Sequence, residues 1–305
     1  MKVDFSVFVK GLLMGAADIV PGVSGGTVAF IMGIYERLLQ AIQSIIPECL
    51  RLMKERNIVV FWKGIDGAFL LTLFVGILVS VLSLAKLITY LLVFHPIPLW
   101  AGFFGLILAS VYIVAKDVDR WNLKLLFVAV IGASCSFAIT QLAPAEIEQN
   151  LLNAFLSGML AICAMILPGI SGSFILVMLG TYSYILSAIK GLELSVLFIF
   201  AAGCLCGLLS IANVLVWAFS RFRDVTLAML TGFMVGALSK VWPWKEVLQF
   251  RENSHGRQVA LLERNILPSS YEVIVGLPSQ LMLAVIFCVG AIIFVVGLSK
   301  FADRK

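Results

Sequence analysis

The sequence predicts an all-α polytopic membrane protein made of two inverted-topology repeats, each a re-entrant or broken-helix hairpin followed by three transmembrane helices. Three observations carry that prediction: the scarcity of charge, a motif that recurs at a fixed spacing, and the distribution of Lys and Arg over the loops. Of 305 residues, 61% are hydrophobic and 13% charged, with a mean hydropathy of +1.07, whereas a soluble domain carries about 25% charged residues. No charge interrupts the 39 positions from Leu151 to Ile189, and uncharged runs also cover Leu125 to Ala145, Leu194 to Ser220 and Val273 to Ser299. Each is long enough for a hydrocarbon core that takes about 20 helical residues to cross. The apolar stretch from Gly11 continues past Asp18 and Pro21, so it reads as retained membrane sequence and not as a cleavable signal.

The same composition excludes other classes. The net charge of +5 is scattered over short loops without interleaved aromatics, so no nucleic acid is expected as a partner. The six cysteines form no CxxC pair and the two histidines, His95 and His255, stand alone. Neither a metal site nor a cofactor is expected, and no nucleophile constellation or Walker-type lysine points to an enzyme. Oligomeric state has no signal in the sequence.

Displaced by 147 places, the segment Ala17 to Ile42 falls on Ala164 to Ile189, with 11 of 26 positions identical. Pro21 meets Pro168, Gly22 meets Gly169, Ser24 meets Ser171, Gly25 meets Gly172, Gly33 meets Gly180 and Tyr35 meets Tyr182. A second register at 127 pairs Gly76 with Gly203, Ser83 with Ser210, Ala85 with Ala212 and Gly105 with Gly232. The offset changes because a charged insert, residues 47–66, has only a short counterpart at 190–193. The chain therefore divides into repeat 1, residues 1–145, and repeat 2, residues 146–305. Repeat 1 is read as a hairpin over 11–45 and spans near 68–93, 99–115 and 125–142. Repeat 2 is read as a hairpin over 151–189 and spans near 195–219, 226–242 and 279–299, with an extracytoplasmic loop at 243–278. In that loop's approach, Trp242 and Trp244 suit a membrane-interface aromatic belt.

A hairpin that returns to its own side leaves each repeat with an odd number of crossings, which makes the copies inverted. With both termini cytoplasmic, 14 of the 22 Lys and Arg lie in cytoplasmic pieces and five outside, in agreement with the positive-inside rule.

The Pro-Gly-x-Ser-Gly motif supplies the chemistry. Pro21 and Pro168 are structural breaks, since proline lacks an N–H and disfavours helix, while the glycines permit close backbone approach. Helices that resume after the breaks expose first-turn amides beside hydroxyls, an arrangement suited to a phosphate or carboxylate. Gly22, Ser24, Gly25, Gly26 and Thr27 form one such cradle, and Gly169, Ser171, Gly172 and Ser173 the other. A phosphate monoester carries about −1.5 to −2 charges at neutral pH and calls for a full cation as well. Arg37 and Lys86, in apolar segments, are the candidates. Arg37 lies about ten residues, roughly 15 Å along a helix, from the break and reads equally as a snorkelling interfacial residue; Lys86 is replaced by Asn213 in the other copy. Asp18, replaced by Met165, reads as a carrier of a coupling proton or sodium ion or as half of an ion pair, and Glu36 as interfacial or ion-paired.

The segment KGLLMGAADIVPGVSGGTVAFIMGIYERLL, its echo ILPGISGSFILVMLGTY and the later GALSKVWPWK resemble the bacterial undecaprenyl-phosphate translocase family, the PopT type, along nearly the whole chain. The resemblance implies a transporter in the bacterial inner (cytoplasmic) membrane that moves undecaprenyl phosphate from the outer to the cytoplasmic leaflet for renewed cell-envelope synthesis. The residues alone reach an anion-handling membrane transporter, and leave a secondary transporter of a small soluble anion as the alternative.

Overall fold

The computed structural model describes residues 4–19, 24–141, 147–252 and 258–302. Its first half contains α1 (Phe5–Asp18), α2 (Gly25–Ile31), α3 (Tyr35–Gln43), α4 (Ile45–Glu55), α5 (Ile58–Gly64), α6 (Gly67–Phe94), α7 (Pro96–Lys116) and α8 (Leu123–Gln141). The second contains α9 (Leu151–Ile166), α10 (Gly172–Met178), α11 (Tyr182–Gly191), α12 (Leu194–Ala237), β1 (Lys245–Glu252), β2 (Gln258–Asn265), α13 (Pro268–Val275) and α14 (Leu281–Ala302). Among the described residues five helices are long and apolar enough to cross a membrane, or six if the pair α10 and α11, bent by 106°, is one span. The protein is a predominantly α-helical polytopic membrane protein.

Two expectations need correction, and one is refined. The spans placed at 195–219 and 226–242 meet without a loop, at a kink in α12 where Phe222 has non-helical backbone (φ −141°, ψ 51°). The kink leaves 28 residues of α12 before Phe222 and 15 after it, about 42 and 22 Å at 1.5 Å each, against a hydrocarbon core of about 30 Å. The 243–278 loop contains an antiparallel hairpin, β1 with β2, which the all-α reading did not include; Lys245 pairs with Asn265 and Arg251 with Val259. Trp242 and Trp244 are not an outward belt. Their indole N–H groups donate to the Ile266 and Ser279 carbonyls at 2.9 and 2.8 Å, and Trp244 is buried with Ile97, Ala101 and Tyr271 in a cluster beneath the hairpin.

Local sequence explains where the helices begin and end. Asp4 caps α1 by accepting from the Ser6 amide, Asn150 caps α9 by accepting from the Asn153 amide, and proline opens α7 and α13. The charged insert becomes α4 and α5, where Leu50, Met53, Ile58 and Val59 are exposed beside Arg51, Lys54 and Lys63, the composition of helices that lie on a membrane surface.

The two halves repeat their joints. Gly33 and Gly180, both near φ +66° (+65° and +67°), end α2 and α10. In each case the glycine N–H bonds back three residues and the next N–H five, Ile34 to Ala29 and Thr181 to Leu176, which is the Schellman closure. Glycines matched at an offset of 127 also meet matching partners. A Cβ on Gly76 would strike the Phe8 carbonyl oxygen of α1, and one on Gly203 the Phe155 carbonyl oxygen of α9. Gly105 of α7 lies against Cys288 of α14, and Gly232 of α12 against Ala129 of α8. Each half thus lends its last helix to the other, and small residues hold the backbones together where lipid provides no hydrophobic drive between helices. Gly203→Val is expected to destabilise the protein by about 1–3 kcal/mol through overpacking, seen as a lower melting temperature in detergent, whereas Gly102→Ala, with open space around it, should leave the melting temperature unchanged.

Candidate functional site

The two motifs meet. Ser24 is the N-cap of α2; its Oγ accepts from the Gly26 amide at 3.1 Å and donates to the Met165 carbonyl at 2.7 Å. Thr27 Oγ1 accepts from the Gly169 amide at 3.0 Å, and the Tyr35 hydroxyl donates to the Ile166 carbonyl at 3.1 Å. Gly26 sits so close to the Ile166 carbonyl that a Cβ would collide with it. Ser24, Thr27 and Ser171 are buried. Each bond fills a backbone group that a helix break leaves open, and in an apolar body such a group left unpaired costs several kcal/mol. Pro21 and Gly22 lie outside the described residues.

The first cradle is already occupied, contrary to the expectation of unpaired first-turn amides. Asp18 Oδ1 accepts from the Gly25 amide at 2.7 Å, the Thr27 amide bonds the Ser24 carbonyl, and Asp18 Oδ2 is buried with no hydrogen-bond partner among the described residues. Lys10 closes the other end of α2 by donating to the Met32 carbonyl at 2.9 Å. A seven-residue helix is too short to be stable alone, and α1 holds this one by an anion at its N-terminus and a cation at its C-terminus, the signs its dipole favours.

The second cradle has neither charge, because the 147-residue offset puts Met165 at Asp18 and Ser157 at Lys10. Gly169 turns the chain at φ +91°. The Ser171 and Ser173 hydroxyls bond each other at 2.9 Å, and the Gly172 and Ser173 amides have no acceptor among the described residues. Beside them is a cavity of about 10 Å³ lined by Ser136, Thr140, Gly169, Ser171, Phe174 and Lys240, room for about one water. Lys240 Nζ stands 4.9 Å from the centre of the Phe174 ring and 3.4 Å from Glu263 Oε2. The same carboxylate oxygen is 3.0 Å from Lys245 Nζ, which also donates to the Lys240 carbonyl at 2.7 Å and lies over Trp100. Burial pushes the Lys245 ammonium pKa down, against the pull of Glu263. Burial pushes Glu263 up, but the two lysines together hold it below the ordinary carboxylate range.

The other expected residues lie elsewhere. Arg37 pairs with Asp66 at 2.7 Å, half exposed, and stacks on Phe69; Glu36 faces Arg223 of the second half at 3.9 Å. Lys86 is exposed on α6, and neither it nor Arg37 lines either cavity described. A second, apolar cavity of about 130 Å³ lies beside the first break, lined by Ala17, Val28, Met32, Phe103, Phe294 and other apolar side chains. Among the described residues no three His, Cys, Asp or Glu side chains converge as a metal would require. Lys240 and its partner Glu263 were not among the expected site residues. The available signal was the lysine that ends an apolar span in GALSKVWPWK, Lys240.

Interlocked helix breaks inside a lipid-facing helical body define a membrane transport protein. Residues 14–259 match the family described as undecaprenyl phosphate translocase-like. A protein of Vibrio cholerae named polyprenyl-phosphate transporter is 50% identical over 299 residues, 98% of this chain and 97% of its own. One of Staphylococcus aureus with the same name is 30% identical over 252 residues, 77% of this chain and 84% of its own. No solved structure matches. The chain belongs to the undecaprenyl phosphate translocase-like family and is a transporter, not an enzyme.

Thr27→Val leaves the Gly169 amide without an acceptor and is expected to cost about 1–3 kcal/mol. Thermal unfolding in detergent measures it. Ser173→Ala, which removes only a bond to Ser171, should cost less.

Proposed function

We propose that this chain translocates a polyprenyl phosphate, undecaprenyl phosphate, from the outer to the cytoplasmic leaflet of the bacterial inner membrane, where the lipid re-enters cell-envelope synthesis. The observation that carries this reading is the interlocked pair of backbone breaks, with a small cavity beside the second that Lys240, Ser136 and Ser171 help to line, in a chain half identical to a polyprenyl-phosphate transporter over nearly its full length. A lipid phosphate needs polar groups for its head while its chain stays among apolar side chains; Lys240 and the Ser136, Thr140 and Ser171 hydroxyls border the cavity at the second break, and apolar side chains alone line the one at the first.

In this reading the halves, residues 1–145 and 146–305, are inverted repeats that rock about the interlocked breaks and expose the head-group site to each leaflet in turn. Both termini are cytoplasmic, as the loop distribution of Lys and Arg favours. Asp18 carries the coupling proton or sodium ion, a role supported by its buried, unpartnered Oδ2. A C-terminal green fluorescent protein fusion should be fluorescent and a C-terminal alkaline phosphatase fusion inactive; the reverse result refutes the orientation.

Transport is tested in proteoliposomes loaded with labelled undecaprenyl phosphate, by the rate at which the phosphate becomes inaccessible to an external phosphatase. The protein should accelerate that loss, and Asp18→Asn should abolish its response to an imposed ion gradient. Uptake of inorganic phosphate with no effect on lipid orientation would instead establish a carrier of small soluble anions.

A further inference from the structure

The two breaks are chemically unequal. The first carries its own anion and cation, Asp18 and Lys10, on the ends of α2. The second carries Met165 and Ser157 at those positions. The charge beside it comes from a distant part of the chain, since Lys240 enters the same cavity as Ser171 and Ser136. Ser136 is buried and its hydroxyl has no hydrogen bond among the described residues. Two ammonium groups, on Lys240 and Lys245, share the single carboxylate of Glu263, which leaves a local excess of one positive charge.

We propose that the phosphate monoester head group binds at this second break, on Lys240 with the Ser171 and Ser136 hydroxyls, and that Glu263 holds Lys240 only until the phosphate replaces it. This assignment rests on the polyprenyl-phosphate reading above. The exchange leaves no charge stranded: Glu263 keeps Lys245, its nearer partner at 3.0 Å, and gives up Lys240 at 3.4 Å. A phosphate brings about −1.5 to −2 charges to a site with one cation and two hydroxyls to receive it. The cavity of about 10 Å³ is too small for a phosphate, so release of Glu263 from Lys240 is part of opening.

The test uses the purified full-length protein and measures binding of geranylgeranyl phosphate, with geranylgeraniol and inorganic phosphate as competitors. Lys240→Gln is expected to weaken binding roughly ten- to a hundredfold, the loss of one charge-assisted bond, and Lys240→Arg to retain most of it. Glu263→Gln removes the competing carboxylate and is expected to tighten binding, opposite in sign to the effect of breaking a structural ion pair. Geranylgeraniol should not compete, and inorganic phosphate should compete only weakly. Wild-type affinity in Lys240→Gln, or weakening by Glu263→Gln equal to that by Lys240→Gln, overturns the site. Equal affinity for inorganic and lipid phosphate overturns the lipid as its ligand. Failure of this assignment is separable from failure of the transport reading: wild-type protein that moves lipid phosphate alongside a Lys240→Gln variant of equal rate removes only the site, whereas inactive wild type removes the transport reading itself.

Discussion

The structure depends on how a chain can stop being helical in the middle of an apolar body. Each break releases amides and carbonyls that hydrocarbon cannot satisfy; here the first is satisfied from its own half, through Asp18 and Ser24, and the second by side chains of the first. Ser24 serves the Met165 carbonyl, Thr27 the Gly169 amide and Tyr35 the Ile166 carbonyl. The hydroxyls are therefore structural: the hairpins cannot separate far as rigid units without exposing polar backbone at the second break. That constraint places the two motifs side by side, and the long helices are arranged around them through glycine contacts that recur in the two halves.

Similarity of backbone coexists with divergence of charge. The Schellman closures at Gly33 and Gly180 share their geometry, but α2 is clamped between Asp18 and Lys10 while α10 has no charge of its own from α9. A duplicated unit whose copies had to fit against each other retains the residues that shape the backbone. It is free to differ where a side chain meets a ligand, and the second copy, with its internal anion gone and Lys240 alongside, is the more available of the two.

Much of this was legible in the residues. Apolar composition marked the stretches that fold as long helices, because a length of lipid imposes a length of apolar sequence. The repeat was visible because glycine and proline at a break cannot be exchanged freely. The continuity of α12 through Phe222 was not legible, since two adjacent apolar segments read alike whether joined by a loop or by a kink. Nor was the burial of Trp244, with Trp242 packed against its cluster, because an interface belt and a cluster beneath a loop select the same amphipathic side chain.

The sequence by itself determined the solvent, the internal repeat and the two breaks, since all of these follow from local composition and spacing. Tertiary structure alone decided which polar groups are committed and which are available. Arg37 turned to Asp66, Asp18 to the Gly25 amide, and Lys240, some 70 positions beyond the second motif, came to stand beside it. Pairing of charges is a matter of distance in space, and in a chain folded around two interlocked breaks that distance bears no relation to separation along the sequence.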